Sequence, residues 1–578
     1  MSSASLISAC GGGGSQSNVT PIPEPTLVTP SINKPVTDSA VKADLKREAA
    51  TLAAQAVKDI RAHRSAESSF GVIAKDALRL SQHKVTINGN WSGMLATGMY
   101  AAPGEIVEVS VPSQLVGKNY MIRISGHEDD IGENKEWLRM PSGIQRSFPI
   151  TQATTQIASP YGGAIYIDLL DGADSKTPRA YGELSVTIHG AIEAPYFVLG
   201  KTSNAEWLSR IRQNPAPYAE LVSNHVALSV PSSMIRQLDN PEELVKYWDD
   251  FVAIQDWVGG TEQYRTGPDR INFDVQISVG YLHAGYPIQG PYHVEASQNL
   301  LKLDVLRKEG EWGYFHEMGH EMQQQSHLWG GWYDGNGFTF EGGVEVTVNI
   351  FAKAAMDKMA PFASTGQGSG WGWAPYAGRV LSKAKLAIND TSKANFDQKD
   401  QYPFYFSLAD GFGWNVYRKV LSSYVNDAVN KTGAFPKTNQ EKKDQWLIRW
   451  STISGYDMVD YMVNRWKLDV SDDAIKRVHD LKLPTWLPAT TSIDNFTIAA
   501  NTSKQLDLQN TGFHLTGKAE FVRVTAGKQH TISLNPDGSY TFMPKPGALG
   551  RDQFTVVYRS DAGNEVETII QVEVQPAK

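Results

Sequence analysis

The sequence predicts a multidomain α+β protein: a β-sandwich, then a mainly helical domain, then a second and smaller β-sandwich. Three observations predict this. Residues 84–194 read as short alternating strands divided by Gly, Pro, Asn and Asp turns. Residues 195–485 carry apolar side chains mostly at helical spacing. Residues 486–578 return to strand text around a tight Asn535-Pro536-Asp537-Gly538 turn.

Residues 1–40 read as an export segment and a tether. Leu6-Ile7-Ser8-Ala9-Cys10, followed by Gly11 to Gly14, resembles the lipobox of bacterial lipoproteins, which implies cleavage before Cys10 and a lipid anchor on it. A secreted or outer-surface bacterial location follows as the expectation. The segment departs from the pattern in having no Lys or Arg before Cys10 and only a short apolar stretch. The following PIPEPTLVTPSINKP text cannot bury a core and reads as a disordered, extended tether. Residues 41–83 form a helical lead-in, because VKADLKREAATLAAQAVKDIRAHR combines strong helix formers with an amphipathic pattern.

In 84–194, runs such as KVTINGNW, EIVEVSVP and ELSVTIHG alternate as half-buried strands do. His127-Glu128-Asp129-Asp130 reads there as a solvated acidic loop. Within 195–485, Asn240 before Pro241 with acids in the next turn signals a helix start. FDVQISVGYLHAGYPIQGPYHVEAS is strand-like, then broken by Gly and Pro. An edge strand of this kind can take an extended backbone alongside it, and His283 within it is a candidate substrate contact. DGFGWNVYRKVLSSY and DQWLIRWSTISGYDMVDYMVNRWKL read as helices whose Trp, Phe and Leu build a core. The DGSYTFMPKPGALGRDQF stretch of the last domain is similar to cadherin-like and immunoglobulin-like repeats of bacterial surface proteins, which implies a spacer or adhesion module.

Composition narrows the function classes. A net charge of −8 argues against nucleic acid or an anionic membrane as the main partner. A single cysteine excludes an intrachain disulfide and any multi-cysteine metal site. No apolar run is long enough to span a bilayer. A monomer is expected.

The chemistry concentrates in residues 312–349, WGYFHEMGHEMQQQSHLWGGWYDGNGFTFEGGVEVTVN. On a helix, His316 and His320 are four apart and share one face, so both can reach one metal ion. Glu317 sits beside that ion without ligating it. Two imidazoles and a carboxylate suit a single zinc ion with one position left for water, and Glu317 can take that water's proton. Downstream, two carboxylates compete for the third position. Glu341 lies beside a Gly-Gly pair, where an acid is often just a helix-dipole partner. Glu345 lies inside the next helix and is preferred. Asn349, one turn further, is placed to orient a ligand histidine. The aromatic stretch holding Trp329, Trp332 and Tyr333 is a candidate substrate platform.

These residues resemble the enhancin-like, mucin-degrading zinc metallopeptidases, metallopeptidase family sixty. The matching text is Trp312-Gly313 before HEMGHEMQ, TFEGGVEVTVNIFA, Phe412-Gly413-Trp414 and RWSTISGYDMVDYMVNRWKL, with TGMYAAPGEIVEVSVP and DVQISVGYLHAGYPI upstream. Glu321 and Met322 depart from it, since members often carry Asn and a polar residue there. The resemblance implies a gluzincin-type catalytic domain with a β-sandwich on its N-terminal side. It implies zinc on His316, His320 and Glu345, Glu317 as base, and O-glycosylated, mucin-type proteins as substrates. Two alternatives stand beside this reading. One is a glycan-binding adhesin with a vestigial peptidase site; the other is a general extracellular zinc peptidase without a sugar requirement.

Overall fold

The computed structural model describes residues 34–169, 179–323, 335–360, 401–514, 517–559, 563 and 565–577. The chain is a mixed α/β multidomain protein that divides into two compact units. Among the described residues the first comprises those of 34–253 and 263–306, and the second those of 254–262, 307–323 and 335–577. The Cys10 segment and most of the expected tether lie outside the described residues. Among the described residues, no helix is long and apolar enough to cross a membrane.

The first unit opens on the Ser39–Ala53 helix, whose N-terminus is capped by Asp38 accepting from the Ala40 and Val41 amides. The helix is shorter than its sequence pattern. Beyond Ala53 the chain tightens into a 3-10 turn at Val57–Asp59, and the His63 amide donates to Pro160 O. That tertiary backbone bond replaces further helical ones.

Two antiparallel sheets follow. One orders His83–Asn88, Glu183–His189, Val107–Ser110 and Thr154–Ile157. The other orders Arg146–Pro149, Met121–Ile124, Gly163–Asp168, Met94–Ala101 and Ile192–Glu193. Alternation places Leu184, Val186 and Ile188 of the first sheet in the same apolar cluster as Ile122, Ile124, Ile165 and Ile167 of the second.

Within residues 196–291 the helix expected after Asn240 is present as Pro241–Gly259 and the strand-like text of 273–291 contributes strands, but the strands of 196–231 depart from the helical expectation. Together the strands make a five-stranded sheet in the order Tyr196–Val198, Tyr218–Val222, Val226–Pro231, Asp269–Asp274 and Ile288–Pro291. Only the pairing of Tyr218–Val222 with Val226–Pro231 is antiparallel. Every residue of the last four strands is buried. Strands covered on both faces show no period-two alternation, so those of 218–231 left little pattern to read. The acidic loop is only partly the solvated one expected: Glu128 and Asp130 are exposed, but the other two residues are not. His127 is buried, and the Asp129 carboxylate accepts from the Ser278 amide at 2.6 Å.

In the second unit the principal helices are Trp312–Gln323, Val344–Met359, Gln401–Asn430 and Asn439–Ser454. Gly413, at φ 73°, breaks the third of these into two, a backbone conformation glycine adopts without a steric cost. Phe338, Tyr405, Tyr417, Trp446 and Trp450 stack edge-on and tilted into an aromatic core beneath them. Residues 489–575 form three small sheets with their own core of Phe496, Phe542, Phe554, Val556 and Val572. The hairpin there turns where the sequence places it. Leu534 pairs with Tyr540, the Gly538 amide donates to Asn535 O, and Gly538 has φ 85°.

Candidate metal centre

The site begins with how the Trp312–Gln323 helix starts. Glu311 precedes it, and its side chain accepts from the Tyr314 amide at 2.8 Å, closing the first turn. His316 and His320 then fall one turn apart, with ring centroids 4.7 Å apart and planes perpendicular. Between them, Gly319 lets the Val344–Met359 helix come close. A Cβ at 319 would stand 2.7 Å from Val348 O and 2.8 Å from Val348 Cγ2. The glycine in the His-Glu-x-x-His pattern is therefore demanded by helix packing.

That close approach brings Glu345 to the histidines. Its Oε2 lies 3.1 Å from His316 Nε2 and 3.6 Å from His320 Nε2. The two Nε2 atoms are 3.1 Å apart. Among the described residues, these three form the one group of His, Cys, Asp or Glu side chains whose ligand atoms converge on a common point. Glu341 goes elsewhere. It sits at φ 51° in the preceding turn and pairs with Lys443 Nζ at 2.6 Å.

Amide side chains fix the rings. Asn349 Nδ2 donates to Glu345 O, which turns its Oδ1 toward Trp312 Nε1 at 2.7 Å and His316 Nδ1 at 3.1 Å. Gln323 Oε1 stands 3.0 Å from His320 Nδ1. With each Nδ1–H donating to an amide oxygen, both Nε2 lone pairs face Glu345. Two neutral imidazole acceptors and an anionic carboxylate then meet at one point, which is the donor set of a divalent cation. Without a cation, a proton is favoured at the same position. Burial opposes a charge on His320, but Glu345 and Glu317 outweigh it and raise its pKa. The two histidines in turn hold the Glu345 carboxyl well below the usual carboxylate range. Glu317, next to His316, is partly exposed.

The structure thus brings together His316, His320, Glu345, Glu317 and Asn349. Trp329, Trp332 and Tyr333 lie outside the described residues. His283 belongs to the first unit, where its Nε2 faces Asp129 Oδ2 at 3.2 Å. Sequence reasoning gave no role to Gln323, although its place three residues after His320 puts it on the same helical face.

The chain is similar to known proteins along most of its length. Residues 190–467 match the family model described as Peptidase M60, enhancin and enhancin-like, and residues 78–180 match the N-terminal domain of M60-like peptidases. TRPM8 channel-associated factor 1 of Homo sapiens is 30% identical over 380 residues, covering 65% of this chain and 38% of that protein. The chain therefore spans well under half the length of this curated relative. The IMPa metallopeptidase from Pseudomonas aeruginosa superposes with a TM-score of 0.55 at 15% identity, over 75% of this chain and 54% of that one. IMPa has also been solved in complex with an O-glycopeptide. The catalytic module of the metalloprotease ZmpA from Clostridium perfringens superposes with a TM-score of 0.50 at 13% identity, over 86% of this chain and all of that one.

Proposed function

We propose that this chain, which carries an enhancin-like M60 peptidase domain behind an M60-like N-terminal domain, is a zinc endopeptidase that hydrolyses peptide bonds in O-glycosylated, mucin-type proteins. The observation that carries the proposal is the convergence of His316, His320 and Glu345 with Glu317 beside them. The O-glycopeptide bound by IMPa supports the substrate class.

His316, His320 and Glu345 would hold the zinc, which when bound would supply a Lewis acid for the scissile carbonyl and lower the pKa of a water. Glu317 takes the proton of the attacking water and delivers it to the leaving amine. Asn349 keeps the His316 ring oriented through this step, and Gly319 keeps the two ligand helices close. His283, Trp329, Trp332 and Tyr333 are assigned to substrate contact. Export, with lipid anchoring at Cys10 on a bacterial surface, completes the proposal.

The test is incubation of the zinc-loaded protein with an O-glycosylated mucin and with the same mucin stripped of glycans, with cleavage mapped by mass spectrometry. Cutting only the glycosylated form is expected. Cutting both would leave a general zinc peptidase. Glu317→Ala should lower kcat about 100- to 10,000-fold at unchanged zinc stoichiometry. Substantial activity in that variant would sink the mechanism.

The channel-associated factors among the relatives favour a second reading, a binding protein without turnover. Zinc uptake with neither mucin cut would support it.

A further inference from the structure

Gln323 ends the histidine helix and is fully buried. Its two amide ends do different things. Oε1 faces His320 Nδ1 at 3.0 Å. Nε2 donates to Val344 O at 2.7 Å and to Thr347 Oγ1, both on the glutamate helix. Val344 is the first residue of that helix and immediately precedes Glu345.

Donor and acceptor chemistry fixes the direction of the Gln323 contacts. Val344 O is an acceptor only, so the NH2 end of Gln323 must point at it. The oxygen end is then left for His320, whose Nδ1 must carry the proton. Thr347 is consistent with this. Its hydroxyl donates to Gly343 O at 3.2 Å and meets Thr339 Oγ1 at 2.7 Å, which leaves it lone pairs for Gln323. Asn349 does a different job, orienting His316 from the glutamate helix. Gln323 acts on a ligand of its own helix while holding the opposite helix at the residue before the third ligand.

We infer that Gln323 is a positioning residue that sets two metal ligands at once: the tautomer and ring orientation of His320, and the placement of the helix start that carries Glu345. This rests on the metal reading proposed above. A side chain that merely filled space would serve stability alone. One that positions ligands must also change the affinity of the centre and the geometry of any metal in it.

The experiment uses the full chain. Zinc dissociation constants are measured by competition with a chromophoric chelator, and the visible bands are recorded after loading with Co2+. Gln323→Met keeps the volume and removes both polar ends. It should weaken zinc binding about 10- to 100-fold, the usual effect of losing a ligand's hydrogen-bond partner, and shift the Co2+ bands. Thr347→Val removes one acceptor on the glutamate helix and leaves the His320 contact. It should weaken zinc by about threefold or more, the worth of one ordinary hydrogen bond. Wild-type zinc affinity in Gln323→Met overturns the inference, whatever happens to its melting temperature. Should that variant fail to fold, wild-type affinity in Thr347→Val overturns it instead. A wild-type chain that binds no zinc overturns the metal reading and this inference together, so the two failures are distinguishable.

Discussion

Each unit holds a carboxylate among buried polar groups, and the two are satisfied in opposite ways. In the first unit, Glu220 accepts from Tyr166 Oη at 2.5 Å and from Arg270 Nη1 at 2.7 Å. Arg270 also donates to Met94 O and lies over the Tyr166 ring. The protein supplies the cation itself, and the cluster closes. In the second unit, Glu345 meets two imidazoles whose Nδ1 protons are committed to Asn349 and Gln323. In the neutral rings the atoms facing Glu345 are then lone pairs, and under the metal reading proposed above a bound ion would supply the positive charge. Charge complementarity completed by a side chain marks structure. Complementarity left to an ion marks a site.

The sharpest test exchanges the two roles. Arg270→Met leaves Glu220 buried without its cation and should cost about 3–5 kcal/mol in denaturant unfolding, with zinc affinity unchanged. Glu345→Gln should lose more zinc affinity than the roughly 10- to 100-fold cost of removing an outer partner. Because Glu345 is half-exposed, the metal-free stability of that variant should stay within about 1 kcal/mol of wild type. A strongly destabilised Glu345→Gln beside an unaffected Arg270→Met would erase the distinction.

Gly319→Ala probes the packing that lets the metal centre form. Its Cβ would fall within 2.8 Å of Val348 O and Cγ2, so the helices must part. A loss of about 1–3 kcal/mol is expected, as for other overpacked cores, together with weaker zinc binding. Calorimetry and chelator competition on one preparation check both.

The smallest effect concerns Asp129 in the first unit. Burial pushes its carboxyl up, but hydrogen bonds from His283 and Ser278 outweigh that and bring it down to about 2. A depressed folded pKa means that the unfolded chain binds the proton first as pH falls. This stabilisation is complete above the unfolded value of 3.8 and is lost as pH drops toward about 2. Asp129→Asn should cost about 2 kcal/mol at neutral pH and flatten that acid limb in urea titrations. An unchanged acid limb would mean that the His283 and Ser278 hydrogen bonds together contribute nothing.

What the sequence determined by itself is the local part. Helical periodicity over four residues places His316 and His320 on one face with Glu317 between them, because that geometry is set by backbone dihedrals alone. The alternation of 84–194 and the Asn535–Gly538 turn were legible for the same short-range reason. The tertiary structure decided what depends on two segments meeting. Glu345 rather than Glu341 faces the histidines because Gly319 admits the second helix and Lys443 draws Glu341 aside. Gln323 acquires a role only once Val344 and Thr347 stand opposite it. The strands at 218–231 escaped the sequence pattern because burial on both faces removes the alternation by which a strand is read.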